Sequence, residues 1–282
     1  MSKIVALLTD FGLEDIYVGV MKGVISNISP DSQVVDITHA IRPQSVREGA
    51  FALMNSYHYF PKGTTFCVVV DPGVGSTRLP IAVKTDDYQF IAPDNGVLSY
   101  ALSMADNEYE VVSLENPEYQ LEQVSNTFHG RDIFSPVAAY IARGDVSLAE
   151  FGEQLEKIFM FPMPQMEYDQ HRLIGEVMHL DHFGNIITSI GRFKWHNENE
   201  LKLDALWNKN VPPMMIQSQK AQITIHSQTI HGISHAYHEA SRGGILAQID
   251  SNGFLEIGAN QDDAASRLDV TIGDQVMLKL TT

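Results

Sequence analysis

The chain has 282 residues, 44% of them hydrophobic, with 19 Lys and Arg against 35 Asp and Glu. That length predicts two domains with sizeable cores, and a formal charge of −16 argues against a nucleic-acid partner, whose phosphates reward clustered basic groups. No stretch approaches the roughly 20 apolar residues of a membrane span, the N-terminal apolar run is too short for a secretory signal, and Cys67, alone, can form neither an internal disulfide nor a thiolate metal cluster, so the chain reads as cytoplasmic.

The first half alternates strand and helix signals. Short apolar or β-branched runs at Ile4–Leu8, Val34–Ile37, Thr65–Val70, Pro80–Lys84 and Gln89–Ala92 predict buried strands. Between them, Asp15–Asn27 predicts a helix that stops before Pro30. Ser45 and Glu48 predict a capping box opening a helix towards Tyr57. Asn95 predicts a cap for a helix through Ala105, and Ser135-Pro136 a cap and first-turn proline for a helix ending near Gly144. Such alternation implies an α/β domain over residues 1–160, a largely parallel sheet with helices on both faces.

Residues 161–171, opening Phe161-Pro-Met-Pro-Gln165, read as a linker. Beyond it, helical periodicity mostly disappears. Arg172–Leu180, Asn185–Ser189, Ala221–Ile225, Gly243–Ile249, Phe254–Ile257 and Gln275–Leu280 predict short strands, with Asn252-Gly253 as a tight hairpin turn. Residues 172–282 are therefore expected to form a smaller all-β domain. Lys194–Ala221, with two Trp residues and Pro212-Pro213, carries no clear pattern.

Polar residues follow several predicted strands: Thr9-Asp10-Phe11-Gly12, Asp71-Pro72-Gly73-Val74-Gly75, and Pro93-Asp94-Asn95-Gly96. In open α/β sheets ligands bind outside the carboxyl ends of the strands, which gathers these segments into one site. Taken singly they say little. An Asp-Gly strand end is usually a turn, and Asp-Phe-Gly here lacks the other kinase signatures. Asp71–Gly75 also lacks the Lys-Ser/Thr of a phosphate loop. His179, Asp181 and His182 suggest a metal site, but the adjacent Asp181 and His182 of a strand–turn point to different faces, so none is expected there.

Taken together, the series is specific. Thr9-Asp-Phe-Gly12, Asp71-Pro-Gly-Val-Gly-Ser-Thr-Arg78, Ile91-Ala-Pro-Asp-Asn-Gly96, Phe128-His-Gly-Arg-Asp132, Asp181-His-Phe-Gly-Asn185 and Leu255-Glu-Ile257 occur in order along nearly the whole chain. This resembles the S-adenosylmethionine hydrolase, or hydroxide adenosyltransferase, family, relatives of the fluorinating and chlorinating enzymes. The resemblance implies hydrolysis of S-adenosyl-L-methionine to adenosine and L-methionine without a cofactor, by a homotrimer with interfacial sites and a barrel-like C-terminal domain that completes the substrate site. It places Asp71, Arg78 and His129 in the water-activating set, and Asp10 on the ribose hydroxyls. Asp181 and Ser251 match methionine-binding positions; Phe183, Asn185 and Tyr237 match the adenine surroundings, with Glu256 a weaker match. Gly258-Ala-Asn-Gln261 and Asp250 depart from the usual pattern, which touches the C-terminal half of the pocket.

The chemistry suits these groups. A sulfonium makes methionine a good neutral leaving group from the ribose 5′-carbon, so the difficulty lies in the nucleophile, water, with a pKa near 15.7. A carboxylate and an imidazole around one water can orient it and take its proton, and an arginine can pin the carboxylate. Two rival readings are a halide-dependent adenosyltransferase, disfavoured because an ionised Asp71 would repel halide, and a non-catalytic adenosine or S-adenosylmethionine binder.

Overall fold

In a strand, successive side chains point to opposite faces, and the first half of this chain buries both. The computed structural model describes residues 3–105, 109–169 and 171–280 and divides into two compact units, Met1–Phe161 and Pro162–Thr282. The first runs β1 (Ile4–Thr9), α1 (Tyr17–Ile28), β2 (Gln33–Thr38), α2 (Val46–Ser56) and β3 (Thr65–Val69). It continues through β4 (Pro80–Lys84), β5 (Gln89–Pro93), α3 (Ser99–Ser103), β6 (Glu110–Ser113) and α4 (Ser135–Arg143). Val5, Leu7, Cys67 and Val69 enter one apolar layer with residues of α1 and α4; Ala6, Leu8, Phe66 and Val68 enter the opposite layer with residues of α2 and α3. Burying each such large side chain contributes about 1.5–3 kcal/mol, which is why uninterrupted apolar strands end up between helices.

The sheet order is β2-β1-β3-β5-β4-β6. β2, β1, β3 and β5 are parallel, and β4 is antiparallel to both β5 and β6, so five of the six strands share one direction. This is the expected α/β layering, with β6 as an edge strand that the sequence pattern did not reveal. Three helix starts differ from expectation. Ser45 precedes α2 but its side chain makes no capping bond, and the Glu48 carboxylate accepts instead from Arg42 Nε at 2.7 Å. Asn95 caps a turn rather than a helix: its Oδ1 accepts from the Val97 amide and its Nδ2 donates to the Val70 carbonyl, and α3 begins only at Ser99. Ser135 lies inside a helix, because a π-helical turn, Gly130–Phe134, runs straight into α4.

The second unit comprises β7 (Met166–Asp169), β8 (Arg172–Leu180), β9 (Ile186–Gly191), β10 (Phe193–Trp195), β11 (Glu200–Leu203) and β12 (Met214–Gln217). β13 (Gln222–Ile225), β14 (Gln228–His231), β15 (Ile245–Ile249), β16 (Phe254–Ala259), α5 (Ala264–Leu268) and β17 (Gln275–Lys279) follow. The principal sheet has the order β14-β13-β17-β8-β9-β16-β15, with β7 added to β8, and every strand pairing in it is antiparallel. A bridge from Ser234 to Gln248 of β15 nearly closes it into a barrel. Its interior is filled by Leu173, Val177, Ile223, Leu255, Ile257 and Leu278.

Part of the expected linker, residues 161–171, is therefore strand β7, a polar edge without the apolar alternation that marks a strand; Gln170 of that stretch lies outside the described residues. The Asp250–Gly253 turn joins β15 to β16 as expected, with Gly253 at φ +88°. The unpatterned stretch 194–221 folds as a three-stranded sheet, β10-β11-β12, that buries Leu201, Leu203 and Ile216.

Candidate active site

Register brings the polar segments of the first unit to one sheet edge. Thr9 pairs with Val69, and Cys67 with Ile91, so Asp10, Asp71 and Asp94 leave three adjacent strands at their carboxyl ends. Asp10 Oδ2 accepts from the Gln44 amide at 2.7 Å, and Gln44 reaches it through a left-handed backbone at φ +68°. Burial pushes the Asp10 carboxyl above its ordinary range, the Gln44 bond works against that, and the nearby Asp71 charge adds to it.

The loop after β3 carries Asp71 and Arg78. Arg78 Nε donates to Asp71 Oδ1 at 3.0 Å and its Nη2 to Asp71 Oδ2, a two-pronged pair in which the Arg and Asp side chains are only 9% and 4% exposed. The same Nη2 lies 2.8 Å from His129 Nδ1. The sequence separation of 51 residues is bridged, and the expected trio converges. The guanidinium also sits over the Phe134 ring, 5.4 Å from its centroid. Gly75 makes the turn possible: its φ is +75°, and a Cβ there would run into the Asn126 carbonyl oxygen.

Arginine only donates, so the Nδ1 lone pair of His129 accepts from it and the neutral ring carries its proton on Nε2. The imidazole pKa is accordingly lowered, first by burial and then by the Arg78 charge, partly offset by Asp71 and Asp132.

Local chemistry holds His129 in place. Pro136 has no amide proton, so a regular helix would leave the Asp132 carbonyl without its partner; here the Leu121 amide takes it at 2.9 Å. The π turn is tied by Ser135, whose hydroxyl donates to the Gly130 carbonyl at 2.7 Å. Asp132 is fully buried and accepts from Arg131 Nε, the Ser125 amide and the Ser125 hydroxyl. Burial alone would raise its pKa, but those donors outweigh it and hold it low. The positioning roles of Gln44, Ser125 and Asp132 were not foreseen; only Asp132, inside His129-Gly-Arg-Asp132, left a trace in the sequence.

In the second unit, Asp181 to Asn185 form the β8–β9 turn. Asp181 Oδ1 accepts from the Phe183 and Asn185 amides, and Oδ2 from Asn185 Nδ2 at 2.8 Å. Phe183 stands 73% exposed at the turn tip, while Asn185 is buried. Asn185 and Tyr237 meet over Gly258, where a Cβ would come within 2.8 Å of Tyr237 Cε1 and 2.9 Å of Asn185 Oδ1. Tyr237 donates to Glu256 Oε1 at 2.6 Å, and Gln248 Nε2 to the same oxygen at 2.7 Å. Burial raises the Glu256 pKa despite these two donors, and burial beside Glu256 raises that of Tyr237. Ser251 stands apart. It is exposed in the β15–β16 turn, before the start of β16 at Phe254, and Gly258 lies four residues further into that strand, roughly 13 Å from its start at about 3.3 Å per residue. Among the described residues, no group of three or more His, Cys, Asp or Glu side chains could hold a metal ion, and no helix is long and apolar enough to cross a membrane.

Comparison with known proteins follows the same division of the chain. Residues 5–152 match the SAM hydroxide adenosyltransferase N-terminal domain and residues 175–277 the corresponding C-terminal domain. The chain is 32% identical over 274 residues to an (R)-S-adenosyl-L-methionine hydrolase of Salinispora arenicola, covering 96% of each chain. It is 27% identical to a fluorinase of Nocardia brasiliensis, over 98% of this chain and 97% of that one. A crystal structure of an uncharacterized conserved protein from Thermotoga maritima superposes with a TM-score of 0.84 at 35% identity, over 98% of this chain and 99% of the other.

Proposed function

Since the chain belongs to the SAM hydroxide adenosyltransferase family, we propose that it hydrolyses S-adenosyl-L-methionine to adenosine and L-methionine. A water oxygen attacks the ribose 5′-carbon, the carbon–sulfur bond breaks, and its electron pair neutralises the sulfonium as methionine departs. The observation that carries this reading is Arg78 forked onto Asp71 while also engaging His129. Asp71 accepts the proton of the water: His129 Nδ1 is already committed to Arg78, whereas each Asp71 oxygen keeps a lone pair free. Arg78 holds the carboxylate in place and offsets charge as hydroxide character develops. Asp10, fixed by Gln44, grips the ribose hydroxyls and aligns the 5′-carbon, a positioning effect that contributes several kcal/mol.

The second unit supplies the rest of the substrate contacts in this proposal. Asn185, Phe183 and Tyr237 surround adenine, Glu256 supports Tyr237, and Asp181 and Ser251 bind the methionine end. The working form is a cytoplasmic homotrimer with interfacial sites that uses no cofactor beyond its substrate.

The experiment is product analysis with purified protein in ¹⁸O-labelled water. Adenosine carrying solvent oxygen, and a folded Asp71→Asn protein that releases none, are the expected results. A 5′-haloadenosine formed in chloride would transfer the chain to the halide-using branch represented by the fluorinase relative, and binding without turnover would make it a sensor.

A further inference from the structure

The three-stranded sheet β10-β11-β12 has no part in the reaction outlined above, yet it touches the segment that carries Tyr237. That segment, residues 232–244, crosses the barrel seam between β14 and β15. It has little regular structure of its own beyond a short 3₁₀ turn at Tyr237–Glu239. Its two ends are fastened by backbone bonds: the Gly232, Ile233 and Ser234 amides donate to the Ala221, Ser218 and Ala247 carbonyls, and the Gly243 amide to the Asn260 carbonyl. Its middle is held by side chains, with Tyr237 donating to Glu256 and Asn260 Nδ2 to the Ala240 carbonyl.

The contact just before Tyr237 is different in kind. The His235 ring stacks on Trp195, with centroids 3.8 Å apart and planes inclined by 23°. Its Nε2 lies 2.9 Å from the Glu198 carbonyl in the β10–β11 turn. A carbonyl only accepts, so Nε2 carries the proton and donates. The backbone amide of His235 is in turn bonded to Glu239 Oε1 at 3.1 Å, which closes the turn around Tyr237. An exposed histidine stacked on a half-buried tryptophan and bonded to the backbone of another sheet is a latch two residues from Tyr237.

We propose that Trp195 and His235 are positioning residues that clamp the Tyr237 segment onto the β10–β12 sheet and so set how tightly the adenosine part of the substrate is held. This rests on the adenine-binding role of Tyr237 proposed above. The clamp acts before the chemical step: it holds a binding-competent loop in place and so removes an ordering cost that substrate would otherwise bear. Its loss weakens binding while leaving Asp71, Arg78 and His129 untouched.

The test compares wild type, His235→Ala, Trp195→Ala and His235→Gln in adenosine-release kinetics and backbone hydrogen exchange. His235→Ala and Trp195→Ala are expected to raise KM about five- to tenfold with kcat within about twofold, the signature of lost binding rather than lost chemistry. Exchange should quicken across residues 232–240 and stay unchanged in β1, β3 and β5. His235→Gln keeps a planar amide and a donor towards Glu198, so it should restore most of the wild-type KM. An unaltered KM in both alanine variants, a fall in kcat with KM constant, or unaltered exchange in residues 232–240 would each overturn the clamp. If the wild type releases no adenosine, the functional reading fails, but the exchange measurement still decides whether the clamp exists.

Discussion

Replacing Arg78 by lysine tests the heart of the site because it keeps the charge and removes the geometry. Arg78 makes three contacts, two to Asp71 and one to His129 Nδ1, from one planar group braced over Phe134. An ammonium at the end of a flexible stem serves one of these partners well and leaves two hydrogen bonds from a charged donor unmade, one to the carboxylate and one to the imidazole. With about 1.5–3 kcal/mol for each, the loss is about 3–6 kcal/mol. Felt in the transition state, at 1.36 kcal/mol per decade, that is a fall in kcat/KM of about 150- to 25,000-fold. Stability should respond differently. Lysine still neutralises Asp71, whereas Arg78→Met leaves a carboxylate that is 4% exposed without its counter-charge, at a cost of about 3–5 kcal/mol. Adenosine release measured beside urea unfolding separates the two effects. A lysine variant within threefold of wild-type kcat/KM, or a methionine variant as stable as wild type, would refute this account of the trio.

The His129 ring should titrate below 6.5 in a proton NMR pH series, identified by the signal lost in His129→Asn. Because the folded state disfavours the imidazolium, the unfolded chain binds the extra proton between the lowered pKa and 6.5; stability therefore rises with pH through that window and is complete above it. His129→Asn, whose carbonyl can replace Nδ1 as acceptor for Arg78, should keep far more activity than His129→Ala, and equal losses would point to the ring as the base. Gly258→Ala places a methyl between Tyr237 and Asn185, at 2.8 and 2.9 Å; KM should rise about tenfold for a stability loss of about 1–3 kcal/mol, and an unchanged KM would remove those residues from the adenine site. Gly75→Ala, strained at φ +75° and directed into the Asn126 carbonyl, should lower unfolding stability by about 2–4 kcal/mol, as read by urea melts.

Asp71, Arg78 and His129 were legible as a set in the sequence only through the family resemblance, while the strands of both sheets whose apolar runs or alternation exceed the noise of a short window were legible from the residues themselves. Five expected strands of the first unit lie where their apolar runs placed them, the central ones because burial on both faces demands continuous apolar residues, whereas β2, at the sheet edge, leaves Val34, Val35 and Ile37 only half-buried against expectation. β6, β7 and β14 were not legible: each is four residues long with at most two apolar side chains, too few to set a pattern. The same holds for the Gln44 amide on Asp10 and for the Trp195–His235 stack, contacts made between positions 34 and 40 residues apart. What residue type and order determined alone is which groups are present for the chemistry and which stretches must be buried. Which of them face one another, and hence that Arg78 denies His129 its Nδ1 lone pair, was decided by the tertiary structure, because hydrogen-bond partners are chosen by position in space and not by distance along the chain.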